Sequence, residues 1–258
     1  MKKTKQKHYG GSLAVPDKEV AQLIDAIMNK RECKRKSKFF YFCRIRDSMA
    51  IIFHSFLGVR QRNVLEVSMG EINLRSRKLY IPSHKSKSGE QEYLTIPRAI
   101  ISQLKFYIAI KKRMFPKSEW LFPGCINHGK FHLDSNSYMR MFRDALKLAG
   151  LYHVNYIDKQ GHKRASKTTH GLRKGSATKV WLVTGDMVKV AIHLMHTDER
   201  MRSTFRYIKA AKEEVREQIC DMVFDEVWRD PAIIHAQKEK LIQLLQLQQN
   251  KHIPIVKF

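Results

Sequence analysis

The sequence predicts a mainly helical α+β protein with one small three-stranded antiparallel sheet. Three observations carry this. Apolar residues recur at helical spacing in one stretch after another, a short tract between residues 71 and 96 switches to strand-like runs, and no internal repeat suggests a solenoid.

Taken in order, Pro16 and Asp17 open a helix with Val20, Leu23, Ile24, Ile27 and Met28 in phase. Lys30 to Lys38 reads as a positively charged linker. A second helix carries Ile45, Met49, Ile52, Phe53 and Phe56 on one face and ends near Gly58, and a third is predicted from about Gln61 to Ser68. Glu71 to Leu74, Lys78 to Ile81 and Tyr93 to Ile96 read as the three strands, with polar turns between them. Helices resume at Pro97, with Ile100, Leu104, Tyr107 and Ile108 in phase, and again from Ser135 to a stop at Gly150. Trp120 to Gly129 reads as a loop and residues 151–167 as a loop or ragged hairpin. From Thr168 to about Gln249 the pattern is again mainly helical, interrupted near Gly185, around Thr197 to Arg202, and at Pro231.

The 258 residues include 49 Lys and Arg against 24 Asp and Glu, a formal net charge of +25, and 43% are hydrophobic. So apolar a chain can bury a core despite its charge, which excludes wholesale disorder. The charge is also unevenly placed. Residues 211–258 hold seven basic and eight acidic side chains, so the first 210 carry a net +26. A basic body attracts phosphates by Coulomb steering and counterion release, so the partner this composition favours is a nucleic acid. Cys33, Cys43, Cys125 and Cys220 form no CxxC pair, and neither a disulfide scaffold nor a cysteine zinc site is indicated; a reducing compartment fits. No apolar run reaches membrane-spanning length, the best being Met49 to Val59, which His54 and Ser55 interrupt. No membrane partner is expected. The start of the chain, Met-Lys-Lys-Thr-Lys-Gln-Lys-His, lacks the hydrophobic segment of a signal peptide and reads as a flexible basic arm over residues 1–15.

The stretch Thr169-His170-Gly171-Leu172-Arg173 puts an imidazole and a guanidinium at i, i+3, on one face at a helix start. The guanidinium can donate two parallel hydrogen bonds to phosphate oxygens, the helix end adds positive potential, and the histidine can move a proton. Gly58-Val59-Arg60 places a second arginine directly after an apolar helix and a glycine. Further on come Leu194-Met195-His196 and Phe205-Arg206-Tyr207-Ile208. His193 and His196, three residues apart, have no third ligand of convincing spacing, so they make a poor metal site.

In this order, these segments resemble the tyrosine recombinase (phage integrase) family, whose Gly-Leu-Arg, His-x-Leu-Arg, Leu-Gly-His and final Tyr elements match them from about residue 13 to 215. Met195 stands where the family usually has glycine, and the step from His196 to Tyr207 is a little longer than usual. The family also places a lysine in the turn between the second and third strands. Lys87-Ser88-Gly89 fits that position, with Lys85 as the second choice.

The resemblance implies the DNA breaking-rejoining catalytic fold over residues 16–210, acting on double-stranded DNA. It implies a site of Arg60, Lys87, His170, Arg173, His196 and Tyr207. Tyr207 would be the nucleophile, forming a 3′-phosphotyrosine, with the arginines and His196 on the phosphate, His170 assisting proton transfer and Lys87 protonating the departing 5′ oxygen. Neither metal nor ATP nor any other cofactor is expected. A homotetramer on two DNA sites is implied, with residues 211–258 a helical tail that docks on a neighbouring protomer or packs back on its own domain. Family members generally carry a separate helical DNA-binding domain ahead of the catalytic one, whereas about a dozen residues precede the first helix here. Reliance on the basic arm or on an accessory DNA-binding protein is therefore an expectation too. A prokaryotic or viral origin would put the protein in the cytoplasm with the nucleoid. Two alternatives remain at this point: a DNA-binding relic that keeps the fold without strand exchange, and a type IB topoisomerase-like enzyme.

Overall fold

The computed structural model describes residues 12–29, 37–86, 89–157, 160–161, 163–195 and 220. Over these residues the chain is α+β, with seven helices, a three-stranded antiparallel sheet and a two-stranded hairpin. Helix α1 spans Asp17–Met28, beginning just after Pro16, and buries Val20, Leu23, Ile24 and Ile27 on a single stripe. Acidic Asp17 and Glu19 lie in its first turn, where the helix dipole favours them.

Helix α2, Lys38–Leu57, is the centre of the molecule and packs against α1, α4 (Arg98–Met114) and α6 (Thr169–Thr184). The sequence suggested one apolar face on α2. Instead every residue from Ser48 to Leu57 is buried, including His54 and Ser55, while Ile45 is only half-buried. Neighbours surround that half of the helix, so no polar face is needed there. Each fully buried side chain such as Phe53 contributes about 1.5–3 kcal/mol relative to exposure. The helix stops at Gly58, whose left-handed φ of 59° closes the last turn.

Helix α3 is shorter than its sequence pattern suggested, running only over Gln61–Leu65 before a capping box at Ser68 and Glu71 starts a single 3-10 turn. Strands β1 (Ile72–Asn73), β2 (Lys78–Ile81) and β3 (Glu92–Thr95) pair in the order β1-β2-β3, with Leu79 opposite both Ile72 and Leu94. Leu79, Ile81 and Leu94 face the core. Helix α5, Ser135–Leu148, is capped by the Asp134 side chain, which accepts from the Ser137 amide. The ragged hairpin expected in residues 151–167 is present as β4 (Val154–Ile157) and β5 (Lys163–Ala165), with an irregular register between Val154 and Tyr156.

Helix α6 follows, ends at Gly185 with φ 61°, and leads into α7, Met187–His193. The extended segment Ser12–Val15 lies along the start of α6, with the Leu13 amide donating to Ser166 O and the Val15 amide to Gly171 O. Side chains at Gly171 and Gly175 would run into the Leu13 and Val15 carbonyls, so these glycines permit that close approach. No helix among the described residues is long and apolar enough to cross a membrane.

Candidate nucleic-acid interface and active site

Two chain segments far apart in sequence build the centre of the site. Gly58 turns the chain out of α2, and the extended residue Arg60 then begins α3. From the other side, Thr168 leads into α6, which carries His170 in its first turn and Arg173 one turn on. The two helix starts are tied together by Gln61, whose Oε1 accepts from the Thr169 hydroxyl at 2.6 Å and whose amide nitrogen donates to Ser135 Oγ at 2.5 Å.

Arg173 is buried, 5% exposed, and holds two other segments in place. Its Nη1 donates to Gly58 O at 2.5 Å and its Nη2 to Leu194 O at 2.6 Å. Burial, and then the repulsion of Arg60, lower its pKa to about 10, so it stays charged at neutral pH. One guanidinium acting on another in this way makes a concentration of positive charge suited to an anion. His170 is exposed at the same helix start, and its pKa is lowered by partial burial and then by Arg173 and Lys174. It is therefore mainly neutral at pH 7 and able to accept a proton.

Beneath this group lies His54. It is 1% exposed, hydrogen-bonds the Tyr138 hydroxyl at 3.2 Å and the Val59 backbone, and senses the charges of Arg173 and His170. Burial first and those charges second depress its pKa to about 3, so it is a neutral support for the turn bearing Arg60. A second buried pair, Ser176 Oγ and His193 Nε2 at 2.6 Å, packs under Gly58. A Cβ on Gly58 would meet both of those atoms at 2.9 Å. His193, which the sequence placed beside His196, is thus engaged with Ser176, and no group of three metal-ligating side chains occurs among the described residues.

Of the six residues named from the sequence, Arg60, His170 and Arg173 are brought to one place. Lys87, His196 and Tyr207 lie outside the described residues, as does nearly all of the tail 211–258. Lys85, the second choice for the turn lysine, is already engaged. Its Nζ contacts Glu71 Oε1 at 2.5 Å and Glu66 O at 2.6 Å, and it sits 5.7 Å over the Trp120 ring. Met195 has a left-handed φ of 52°, a conformation that glycine adopts without strain. Sequence reasoning missed the supporting groups His54, Gln61, Tyr138 and Ser176. The one signal it held was His54, a histidine inside the apolar run from Met49 to Val59.

Comparison with known proteins places the fold. The model of the phage integrase family matches residues 14–214. The fold is similar to the XerH site-specific recombinase bound to difH substrate, at 22% identity and a TM-score of 0.53, covering 78% of this chain and 53% of that one. It is also similar to the XerA recombinase, at 19% identity, TM-score 0.52, and 77% and 65% coverage. A lambda integrase tetramer bound to a Holliday junction matches at 18% identity, TM-score 0.50, and 76% and 50% coverage. The chain thus spans half to two thirds of the length of these structures. No curated protein matches it in sequence.

Proposed function

Because the chain belongs to the phage integrase family, we propose that it is a tyrosine-type site-specific recombinase, which cuts and rejoins double-stranded DNA through a 3′-phosphotyrosine on Tyr207. The observation that carries this reading is that Arg173 holds the start of α6, which bears His170, against the turn that presents Arg60 by donating to Gly58 O.

A phenol with an ordinary pKa of about 10 is a weak nucleophile at neutral pH, and attack on a phosphodiester builds negative charge on the non-bridging oxygens. Two fixed guanidiniums oppose that charge without having to reorganise. In the proposed reaction the Tyr207 oxygen bonds to phosphorus and the bond to the 5′ oxygen breaks. His170 takes the phenolic proton and Lys87 supplies one to the departing oxygen, while His196 donates to the phosphate. Attack by a 5′ hydroxyl of another strand then releases the tyrosine. One phosphodiester is exchanged for another, so ATP is not needed, and the cationic side chains do the work a metal would otherwise do.

The domain division we propose is a basic arm over 1–15, whose residues 12–15 pack along α6 rather than hanging free, a catalytic domain over 16–210 and a tail over 211–258. The Ser12 hydroxyl accepts from the Thr168 amide at 2.9 Å, so the last residues of the arm are tied to the helix bearing His170 and Arg173. The arm's lysines can then add phosphate contacts close to the site, with an accessory DNA-binding protein as a further source of grip. The working form we propose is a homotetramer on two DNA sites, joined through the tail, in the compartment that holds the DNA.

The test is the full chain with nicked DNA carrying its site, in EDTA. A covalent protein–DNA adduct is expected, absent in Tyr207→Phe. An adduct that survives the substitution reassigns the nucleophile, and salt-sensitive binding with no adduct from the unsubstituted chain favours a DNA-binding relic.

A further inference from the structure

Cys43 lies in α2 and Cys125 lies 82 residues later, yet their sulfurs are 3.6 Å apart. Cys125 is exposed and Cys43 half-buried. The buried Arg46, one helical turn after Cys43, points its guanidinium at the same place. Its Nη1 is 3.2 Å from Cys125 Sγ and 2.9 Å from Pro123 O, while Asp47 Oδ1 accepts from Nη2 at 2.7 Å and from Nε at 2.9 Å. Cys125 itself starts a tight loop in which Asn127 and His128 both take left-handed φ, near 50°. The Gly124 amide donates to Phe131 O at 2.8 Å and so holds the base of that loop.

We infer that Cys43 and Cys125 form a peroxide-sensitive modification site, with Cys125 the attacking thiolate and Cys43 the resolving thiol. The fixed guanidinium and the hydrogen bond between the two sulfurs stabilise negative charge at the sulfur that solvent can reach. The charge balance agrees. The hydrogen bond with Cys43, and after it the nearby Arg46, hold the Cys125 thiol below its ordinary range, against the effect of burial. The same hydrogen bond and burial push Cys43 upward, so it keeps its proton.

In the first step the Cys125 thiolate attacks one oxygen of hydrogen peroxide, the O–O bond breaks, and the departing hydroxide takes a proton to leave as water. Cys125 is then a sulfenic acid. In the second, Cys43 sulfur attacks Cys125 sulfur, the S–O bond breaks, and the Cys43 proton leaves with the hydroxyl as a second water. Two thiols are oxidised to a disulfide and one peroxide is reduced to two waters. Closing from 3.6 Å to a disulfide bond of about 2.05 Å needs an approach of roughly 1.5 Å, within reach of a loop residue facing a helix. The site is independent of the DNA reading, since its residues lie at the other end of α2 from Arg60.

The full chain, its Cys43→Ser form and its Cys125→Ser form are treated with hydrogen peroxide, with and without dimedone, then alkylated, digested and weighed. Circular dichroism establishes that each is folded. The unsubstituted chain is expected to lose two of its four alkylatable thiols and yield a Cys43–Cys125 linked peptide that dithiothreitol separates. Cys43→Ser should trap dimedone on Cys125, and Cys125→Ser should label Cys43 at least tenfold less. Pairing of Cys125 with Cys33 or Cys220, or dimedone labelling of Cys43 at the rate of Cys125, overturns the assignment. So does a Cys125 that reacts no faster than Cys33.

Discussion

Arg173 donates to the carbonyl of Gly58, 2.5 Å away, and so fastens the helix start that carries His170 to the turn that presents Arg60. Its other terminal nitrogen does the same for Leu194 at the end of α7. One buried side chain therefore sets the spacing of the site and contributes charge to it.

Arg60 and Arg173 should respond differently to truncation. Arg173→Ala leaves two buried carbonyls without donors and should cost about 2–4 kcal/mol of stability, whereas Arg60→Ala should cost about 1 kcal/mol or less. Both should reduce DNA-adduct formation at least 100-fold, the scale for losing a donor to a charged transition state. Urea denaturation alongside adduct assays checks this. Equal stability of the two variants would remove Arg173 from its fastening role.

His54 makes the fold acid-sensitive in a defined window. Its folded pKa is about 3 against about 6.5 in the unfolded chain, so between those values the unfolded state binds one more proton. Stability from this group is intact above pH 6.5 and falls as pH drops towards 3, by about 1.4 kcal/mol per unit. In His54→Gln the unfolding free energy plotted against pH should be flatter by that slope between pH 6 and 4. Parallel curves for the two proteins would show that His54 titrates normally.

Met195 combines a left-handed backbone with a buried side chain, 5% exposed. Removing the side chain should cost about 2–4 kcal/mol, but glycine recovers about 1 kcal/mol of backbone strain that alanine does not. Met195→Gly should therefore be more stable than Met195→Ala, the reverse of their order in a helix interior. Thermal melts of the pair decide it.

Lys85 and Lys87 should separate by the kind of defect they give. Lys85→Met strands Glu71 and the Glu66 carbonyl and should lower stability by about 1–3 kcal/mol, with adduct formation falling no further than folding does. Lys87→Met should leave stability within about 0.5 kcal/mol and slow cleavage roughly 100-fold. A DNA substrate with sulfur in place of the departing 5′ oxygen, which leaves without a proton, should restore Lys87→Met and not Lys85→Met. Rescue of Lys85→Met would exchange their roles.

Much was legible from periodicity and spacing. Helical stripes located α1, α4 and α5, the polar turns located β1 to β3, and the His170-x-x-Arg173 and Gly58-x-Arg60 segments are ones the fold brings together. These are local properties, written in the order of neighbouring residues. The burial of α2 on every side was not local, because it depends on which helices surround it.

Three other decisions belonged to the tertiary structure alone: that Arg173 spends two donors on backbone carbonyls, that His54 is neutral, and that Cys43 meets Cys125. A linear pattern records which faces are apolar and where helices begin. Which groups share a buried space, and so whose charge and hydrogen bonds each one feels, depends on distances of a few ångströms between residues far apart in the chain, 115 positions for Gly58 and Arg173, and only packing sets those distances.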